Sequence, residues 1–235
     1  MHFSWRLQVL YLIPLFLVLC AIFLTAGPTD SEITAFFGQL RRENLVATKV
    51  IKGITDWTGP LLIAAYSIFA LKSLVTKNRD GLRFVFSFAV VQYGLFLLVI
   101  HILKFCVGSP RPYAGEVLRQ PFSPLNSHHS FPSGHTYETT GLCGPLAHLH
   151  SGFKALAIGL IPAVMGFTRI YLGQHHLVDI AAGALLASAS TFFTLRLFAS
   201  LGSIQGARAK NAASRQHGER ASWKIFQIIF TGKIH

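Results

Sequence analysis

Long apolar runs separated by short polar segments form the main pattern of this chain. Six runs approach or exceed the roughly 20 residues that an α-helix needs to cross a bilayer. They occupy residues 8–26, 57–75, 82–103, 136–150, 155–171 and 177–200. The fourth is the shortest and contains Glu138, so its assignment as a span depends on its neighbours. The pattern predicts an all-α, polytopic membrane protein with six transmembrane helices.

The two ends of the chain leave alternatives open. Arg6 precedes the first run, which could be a cleaved signal peptide. That run is longer than a usual signal core, and Leu24 stands where a small residue is preferred, so we expect a retained anchor. We expect one transmembrane domain over residues 1–206 and a basic cytoplasmic tail over residues 207–235. Apolar residues spaced along the tail suit an interfacial amphipathic helix or a frayed terminus equally.

Charge is sparse and strongly basic, and its distribution predicts the orientation. The chain has 21 Lys plus Arg against nine acidic residues, and only 13% of it is charged. The loop between runs two and three and the tail are both rich in Lys and Arg, which places them in the cytoplasm. Basic residues in the segment between runs one and two weaken this bias without reversing it. Six crossings then put residues 104–135 and the turn around Gly173 on the external face of an inner (plasma) membrane.

The composition argues against several kinds of partner. The basic residues are spread over loops and tail, without the aromatic and basic surface of a nucleic-acid groove, so we expect no nucleic acid and instead anionic lipid headgroups. Cys20, Cys106 and Cys143 have no paired spacing, so neither a disulfide framework nor a zinc site is expected. We expect no cofactor. The oligomeric state is not predictable from these features.

Three polar segments at the ends of apolar runs carry most of the reactive side chains. Residues 104–112 read Lys-x6-Arg-Pro, residues 132–135 read Pro-Ser-Gly-His, and residues 169–179 read Arg-x5-His-x3-Asp. Together they supply three cations, a hydroxyl at a helix start, two histidines and a carboxylate. This set suits a phosphate-like oxyanion, held by positive charge while one imidazole attacks and the other protonates the leaving group. Such chemistry requires no metal.

The third segment offers a nucleophile and its partner. His175 and Asp179 are four residues apart and share one helical face, so the carboxylate can hold one imidazole nitrogen and leave the other free to attack phosphorus. His176 lies three residues from the same acid and could make the same bond. A histidine merely satisfied by a nearby acid is the simpler interpretation of this pair taken alone.

The other two segments have equally simple alternatives. Ser133 is a favoured helix N-cap, Gly134 allows close backbone approach, and His135 would stand beside an anion held by helix N–H groups. Read alone, these residues form a common helix entry. Lys104, Arg111 and Arg169 could be interfacial anchors whose charge reaches water. A guanidinium, however, can hold two phosphate oxygens at once, which favours a phosphate site.

In this order and spacing, the three segments resemble the signature of the type 2 phosphatidic acid phosphatase superfamily. That signature is written Lys-x6-Arg-Pro, Pro-Ser-Gly-His and Ser-Arg-x5-His-x3-Asp, and Thr168 stands here at its serine position. The resemblance covers roughly residues 57–200 and implies a membrane lipid phosphatase. It implies that His175 forms a phosphohistidine, Asp179 orients it and His135 protonates the leaving group. The phosphate-binding residues that it implies are Lys104, Arg111, Ser133, Gly134 and Arg169.

Several alternatives stay open on the sequence. Within the superfamily, the chain looks most like lipid A phosphatases and undecaprenyl diphosphate phosphatases, which suggests one of these two lipids as the substrate. Phosphatidylglycerol phosphate or another phospholipid is the alternative. Eleven histidines also allow a membrane metalloenzyme, although acidic ligands are scarce. A lipid transporter would explain the apolar runs but gives no reason for the pair His175 and Asp179. Candidates for headgroup contacts are Tyr113, Arg119, His128 and His129, for which a polar interfacial loop is at least as good an interpretation.

Overall fold

The computed structural model describes residues 3–115, 118–150 and 152–203, and all regular secondary structure within these ranges is helical. A π-helical segment, Ala89–Phe96, joins α4 to α5, and two short 3-10 turns lie at Pro112–Ala114 and Asn126–His128. The α-helices are α1 Trp5–Ala26, α2 Asp30–Glu43, α3 Leu45–Val75, α4 Arg79–Phe88, α5 Leu97–Val107, α6 Gly134–Leu149, α7 Phe153–Tyr171 and α8 Leu177–Ser203. The predicted tail, residues 207–235, lies outside the described residues.

Five helical segments of the described chain are long and apolar enough to cross a membrane. They are α1, α3, the segment Arg79–Ala114 that contains α4, the π-helical segment and α5, then α7 and α8. The fourth predicted run forms α6, which at 16 residues is shorter than each of these five segments. The all-helical membrane fold is therefore confirmed, whereas six crossings stay a prediction.

A helix that the apolar runs did not predict, α2, lies between the first two spans. Its start is a capping box, in which Thr29 accepts from the backbone of Glu32 and the Glu32 side chain accepts from the backbone of Thr29. Its apolar side is buried in the bundle, where Phe37 packs edge-on against Tyr171 with ring centroids 5.7 Å apart. The helix α2 is thus part of the folded bundle and lies against the end of α7.

The core forms where α1 packs against α6 and α7. Tyr11 and Leu15 of α1 are fully buried. A side chain at Gly159 would place its Cβ 2.0 Å from the Tyr11 carbonyl oxygen, so the backbones of α1 and α7 touch. The Tyr11 hydroxyl donates to the carbonyl of Thr140 at 2.8 Å, which joins α1 to α6.

Polar pairs connect the helices inside the apolar bundle. Gln8 of α1 donates to Ser188 of α8 at 2.7 Å. Ser190 of α8 donates to the side-chain oxygen of Gln92 at 2.6 Å, and the Tyr137 hydroxyl donates to the Gln92 carbonyl at 2.9 Å. The π-helical segment that contains Gln92 is therefore held by both α6 and α8.

One end of the bundle gathers the three polar segments. The backbone N–H of Ser133, at the start of α6, donates to the Asp179 carbonyl at 3.0 Å, and Tyr113 N–H donates to the Gly173 carbonyl at 3.1 Å. The C-terminal end of α5, the start of α6, the end of α7 and the start of α8 consequently meet there. This end is where the sequence analysis placed the reactive side chains.

Gly108 makes the bend that the first segment needs. It ends α5 with φ +56°, in the left-handed region, and a Cβ there would lie 1.9 Å from the carbonyl oxygen of Gln120. Glycine is therefore required for both its backbone angle and its close approach to the returning loop. The bend turns the chain between Lys104 and Arg111.

Candidate active site

His175 and Asp179 form a buried pair at the start of α8. Nδ1 of His175 lies 3.5 Å from Oδ2 of Asp179, and the two side chains are 2% and 1% exposed. The same oxygen accepts the Ser130 hydroxyl at 2.5 Å and the His176 backbone N–H at 2.9 Å. The carboxylate is thus anchored from two sides, and its contact with Nδ1 leaves Nε2 of His175 as the nitrogen available for chemistry.

The surroundings keep His175 neutral. Burial, aided by the positive charges of Lys104 and Arg169, lowers the pKa of His175 to about 4, although Asp179 acts to raise it. A neutral imidazole at physiological pH retains the lone pair that a nucleophile requires.

His176 has different partners, although it is adjacent in sequence. Its Nδ1 lies 3.2 Å from Oδ2 of Asp30 at the start of α2, and its Nε2 lies 3.2 Å from the Pro110 carbonyl. Burial acts to lower the pKa of His176, but the Asp30 carboxylate, with Asp179 and Pro110, raises it overall. Of the two histidines, only His175 faces the Asp179 carboxylate with its ring.

The segment Pro-Ser-Gly-His begins α6 and is joined to α8. Ser133 is fully buried, and its hydroxyl caps the helix by accepting from Thr136 N–H at 3.4 Å. A Cβ at Gly134 would lie 3.8 Å from the Lys104 side chain, so that cation approaches the helix start. His135 follows with an exposed side chain. The Ser133 hydroxyl is occupied as a cap, and the backbone at Gly134 is the part of this segment close to a cation.

The two arginines converge on one residue that the sequence analysis did not select. Arg111 donates to the side-chain oxygen of Gln174 at 2.6 Å, and Arg169 lies 3.5 Å from the same oxygen. Arg169 also donates to Thr55 of α3 at 3.4 Å, and the Thr55 hydroxyl lies 3.0 Å from that of Thr168. Nε of each arginine is buried without a hydrogen-bond partner among the described residues. The described residues use one Nη hydrogen bond of Arg111 and two of Arg169, so each guanidinium retains N–H donors for an anion.

Lys104 completes the cationic set. Its ammonium donates to the His129 carbonyl at 2.8 Å, which holds it near the start of α6. Within the part of the chain that the structure describes, this is the one hydrogen bond of the ammonium, which leaves two of its three protons for a ligand. The site thus combines three cations, a helix start and a neutral histidine backed by a carboxylate.

Comparison with known proteins identifies the family of this chain. The family model described as the PAP2 superfamily matches residues 81–202, just over half of the chain and all three polar segments. The chain belongs to the PAP2 superfamily. Membership supports a lipid phosphatase that works in a membrane and confirms the resemblance seen in the sequence.

This PAP2 protein is similar to two proteins from Bacillus subtilis. The undecaprenyl-diphosphatase BcrC of strain 168 is 26% identical over 170 residues, which cover 70% of this chain and 82% of BcrC. The solved structure of a transmembrane PAP2-type phosphatidylglycerolphosphate phosphatase is 23% identical and superposes with a TM-score of 0.51. That match covers 85% of this chain and 97% of the other, and it shows a shared fold.

The four candidates for headgroup contacts divide into a buried group and an exposed group. His128 is buried, and Nε2 of His129 lies 2.8 Å from the Ser123 carbonyl, so both serve the loop itself. Tyr113 is half exposed beside Arg111, with the guanidinium 6.0 Å from its ring centre, and Arg119 is exposed. Only the second group is open to a headgroup.

The metalloenzyme alternative has no geometric support in the described residues. No group of three or more His, Cys, Asp or Glu side chains within residues 3–115, 118–150 and 152–203 is placed to hold a metal ion. The histidine pair at 175–176, which suggested such a site, instead splits between Asp179 and Asp30.

Three functional contacts were missed by sequence reasoning. Ser130 holds Asp179, Gln174 joins the arginines, and Asp30 holds His176. Gln174 and Ser130 lie inside or beside the selected segments, and a polar residue adjoining a reactive one was the available signal. Asp30 is far away in sequence, and its only signal was the capping pattern that starts α2.

Proposed function

We propose that this chain is an integral membrane enzyme that removes phosphate from a lipid phosphate or diphosphate through a phosphohistidine at His175. The observation that carries the proposal is the buried pair of His175 and Asp179, placed beside two arginines that converge on Gln174. Family membership supports the reaction class. A lipid transporter would have no use for the pair His175 and Asp179.

Binding is electrostatic in this proposal. Lys104, Arg111 and Arg169 neutralise the phosphate, and the first N–H groups of α6 at Gly134 add donors at the positive end of the helix dipole. Arginine suits this role because its planar donors match two oxygens of one phosphate. The cations also stabilise the charge that the equatorial oxygens carry in the transition state, so the site needs neither a metal nor a cofactor.

Two displacements complete the turnover. Nε2 of His175 attacks phosphorus, the bond from phosphorus to the lipid-side oxygen breaks, and His135 gives that oxygen a proton. Asp179 stabilises the imidazolium that this creates. A water molecule then attacks the phosphohistidine, His135 takes its proton, and the bond from phosphorus to Nε2 breaks. The products are inorganic phosphate and the dephosphorylated lipid, and both histidines return to their initial state.

The proposed substrate is an isoprenyl diphosphate of the undecaprenyl class. The support is the 26% identity to BcrC, a diphosphatase of that lipid, over 70% of this chain. The experiment is phosphate release by the purified protein from undecaprenyl diphosphate, lipid A and phosphatidylglycerol phosphate at equal surface concentration. Preferential turnover of the diphosphate is expected, and exclusive turnover of either other lipid would replace it as the substrate.

The roles of the histidines are tested by trapping the intermediate. His175→Ala should abolish turnover and the acid-labile phosphoenzyme, because the attacking nitrogen is lost. His176→Ala is the matched control and should keep much of both, because its ring contacts Asp30 and Pro110. His135→Ala should lose about 10²–10⁴-fold in rate on a lipid and less on a substrate with a good leaving group. Labelled phosphate mapped to His176 or His135 in the wild type would refute these roles.

We also propose that the chain crosses an inner membrane six times, with this site on the external face. The support is the excess of Lys and Arg in the loop around residue 78. In a chain with Cys20, Cys106 and Cys143 replaced by alanine, Leu118→Cys should react with an impermeant thiol reagent in intact cells and Thr76→Cys should not. Both positions are exposed in the structure. The reverse pattern would place the site in the cytoplasm.

A further inference from the structure

Gln174 is the point at which three parts of the site meet. It lies in the turn before α8, while Arg111 follows α5 and Arg169 lies in the last turn of α7. The side-chain oxygen of Gln174 is 2.6 Å from Nη1 of Arg111 and 3.5 Å from Nη2 of Arg169. The pattern Arg-x5-His leaves this position unspecified.

The orientation of the Gln174 amide follows from its partners. A guanidinium only donates hydrogen bonds, so both arginines require the amide oxygen, and the amide NH2 must point away from them. The two guanidinium groups carry like charges and repel each other at short range. A shared acceptor between them offsets this repulsion and fixes where each group lies.

The neutrality of Gln174 matters as much as its position. A carboxylate here would pair with both arginines and cancel much of the charge that attracts phosphate. An amide holds the same geometry and leaves both positive charges uncompensated. Among residues 3–115, 118–150 and 152–203, Arg111 makes one side-chain hydrogen bond and Arg169 makes two, all through their Nη groups, so other N–H donors of each guanidinium remain for an anion once Gln174 is bound.

We propose that Gln174 is a positioning residue that holds Arg111 and Arg169 converged on the phosphate while leaving their charge available to it. This inference rests on the proposed phosphatase function of the same site. Gln174 acts through the arginines and takes no part in bond making. Its effect should therefore fall on the affinity for phosphate groups and should depend on the charge of the side chain at this position.

The test compares two substitutions of similar size. Gln174→Met removes the acceptor, and Gln174→Glu keeps an acceptor but adds a negative charge. The measured quantities are KM for the lipid substrate, the inhibition constant of inorganic phosphate, and the Tm of the purified protein with and without phosphate. Gln39→Met is the control, because Gln39 is an exposed residue of α2 whose amide contacts Glu43.

For Gln174→Met we expect KM and the inhibition constant to rise about tenfold. This is the factor that corresponds to the lower end of the free energy of one hydrogen bond to a charged group. For Gln174→Glu we expect a larger rise, about a hundredfold, with a Tm in the absence of phosphate equal to or above that of the wild type. Gln39→Met should match the wild type in all three quantities.

Two results would overturn the inference. One is a wild-type KM and inhibition constant in Gln174→Met. The other is an equal loss in both variants together with a lowered Tm, which would indicate that Gln174 is needed only for folding. Failure of the proposed function looks different, because the wild type would then release no phosphate from any lipid. Phosphate would in that case still raise the Tm of the wild type more than that of Gln174→Glu if the inference holds.

Discussion

The strongest test of the site geometry is the removal of one hydroxyl, in Ser130→Ala. The Ser130 side chain is fully buried and donates to Oδ2 of Asp179 at 2.5 Å, while Oδ1 of that carboxylate has no partner among the described residues. A hydrogen bond to a charged group contributes about 1.5–3 kcal/mol. If this whole contribution serves to hold Asp179 toward His175 in the transition state, kcat/KM should fall about 10- to 150-fold.

The assay is the initial rate of phosphate release together with the yield of trapped phosphohistidine. Ser127→Ala is the matched control, because its hydroxyl lies in the same loop and, among the described residues, bonds only to Nδ1 of His128, at 3.3 Å. We expect Ser130→Ala to slow formation of the phosphohistidine and Ser127→Ala to leave it near the wild-type rate. A kcat/KM of Ser130→Ala within twofold of the wild type, at an unchanged Tm, would refute the orienting role of this hydrogen bond.

Three further predictions concern packing, pH and metals. Gly183→Ala should lower the free energy of unfolding by about 1–3 kcal/mol and reduce activity, because the new Cβ would lie 2.6 Å from the Ser133 carbonyl oxygen. The thermal transition measures this loss. Gly53→Ala is the control, because a Cβ there would meet no atom within 4 Å. Asp30→Asn should lower the Tm at pH 5.5 and leave it nearly unchanged at pH 9. Because folding raises the pKa of His176, the contact with Asp30 contributes its full stabilisation below the unfolded-state pKa of 6.5, and this is lost as the pH rises through the pKa in the folded protein. The Asp30 side chain is 60% exposed, so the stabilisation is at most about 1 kcal/mol. Activity should persist in EDTA, and its loss with recovery on adding a divalent ion would contradict the metal-free mechanism.

The apolar runs predicted the membrane-facing parts of the fold closely. The runs at 155–171 and 177–200 correspond to Phe153–Tyr171 and Leu177–Ser203, because contact with lipid requires apolar side chains wherever a helix crosses the bilayer. Hydropathy does not detect helices, or parts of helices, that lie outside the apolar runs. The first three turns of α3 and the whole of α2 were missed for this reason, although Thr29 and Glu32 offered a capping signal.

The site was predictable as a set of residues but not as a set of contacts. The order of the three segments placed His135, His175 and the cations at one end of the bundle, because motifs at span ends gather when the spans pack side by side. Which histidine faces Asp179 depends on the distant Asp30, which pairs with His176 instead. The contact between Arg111 and Gln174 likewise depends on the bend at Gly108, which no spacing rule specifies.

The π-helical segment Ala89–Phe96 has a consequence for the rotational phase of the helix that follows it. Each residue of an α-helix turns the chain by about 100°, so a wider turn in mid-helix resets the direction in which every later side chain points. Lys104 lies two turns beyond this segment, and its ammonium meets the His129 carbonyl only at the present angle. Deleting one residue from the segment would turn Lys104 by about 100° about the helix axis and away from the His129 carbonyl, while the apolar composition of the span would hardly change. The number of residues in the π-helical segment therefore determines the direction in which the Lys104 side chain points, although Lys104 lies outside that segment.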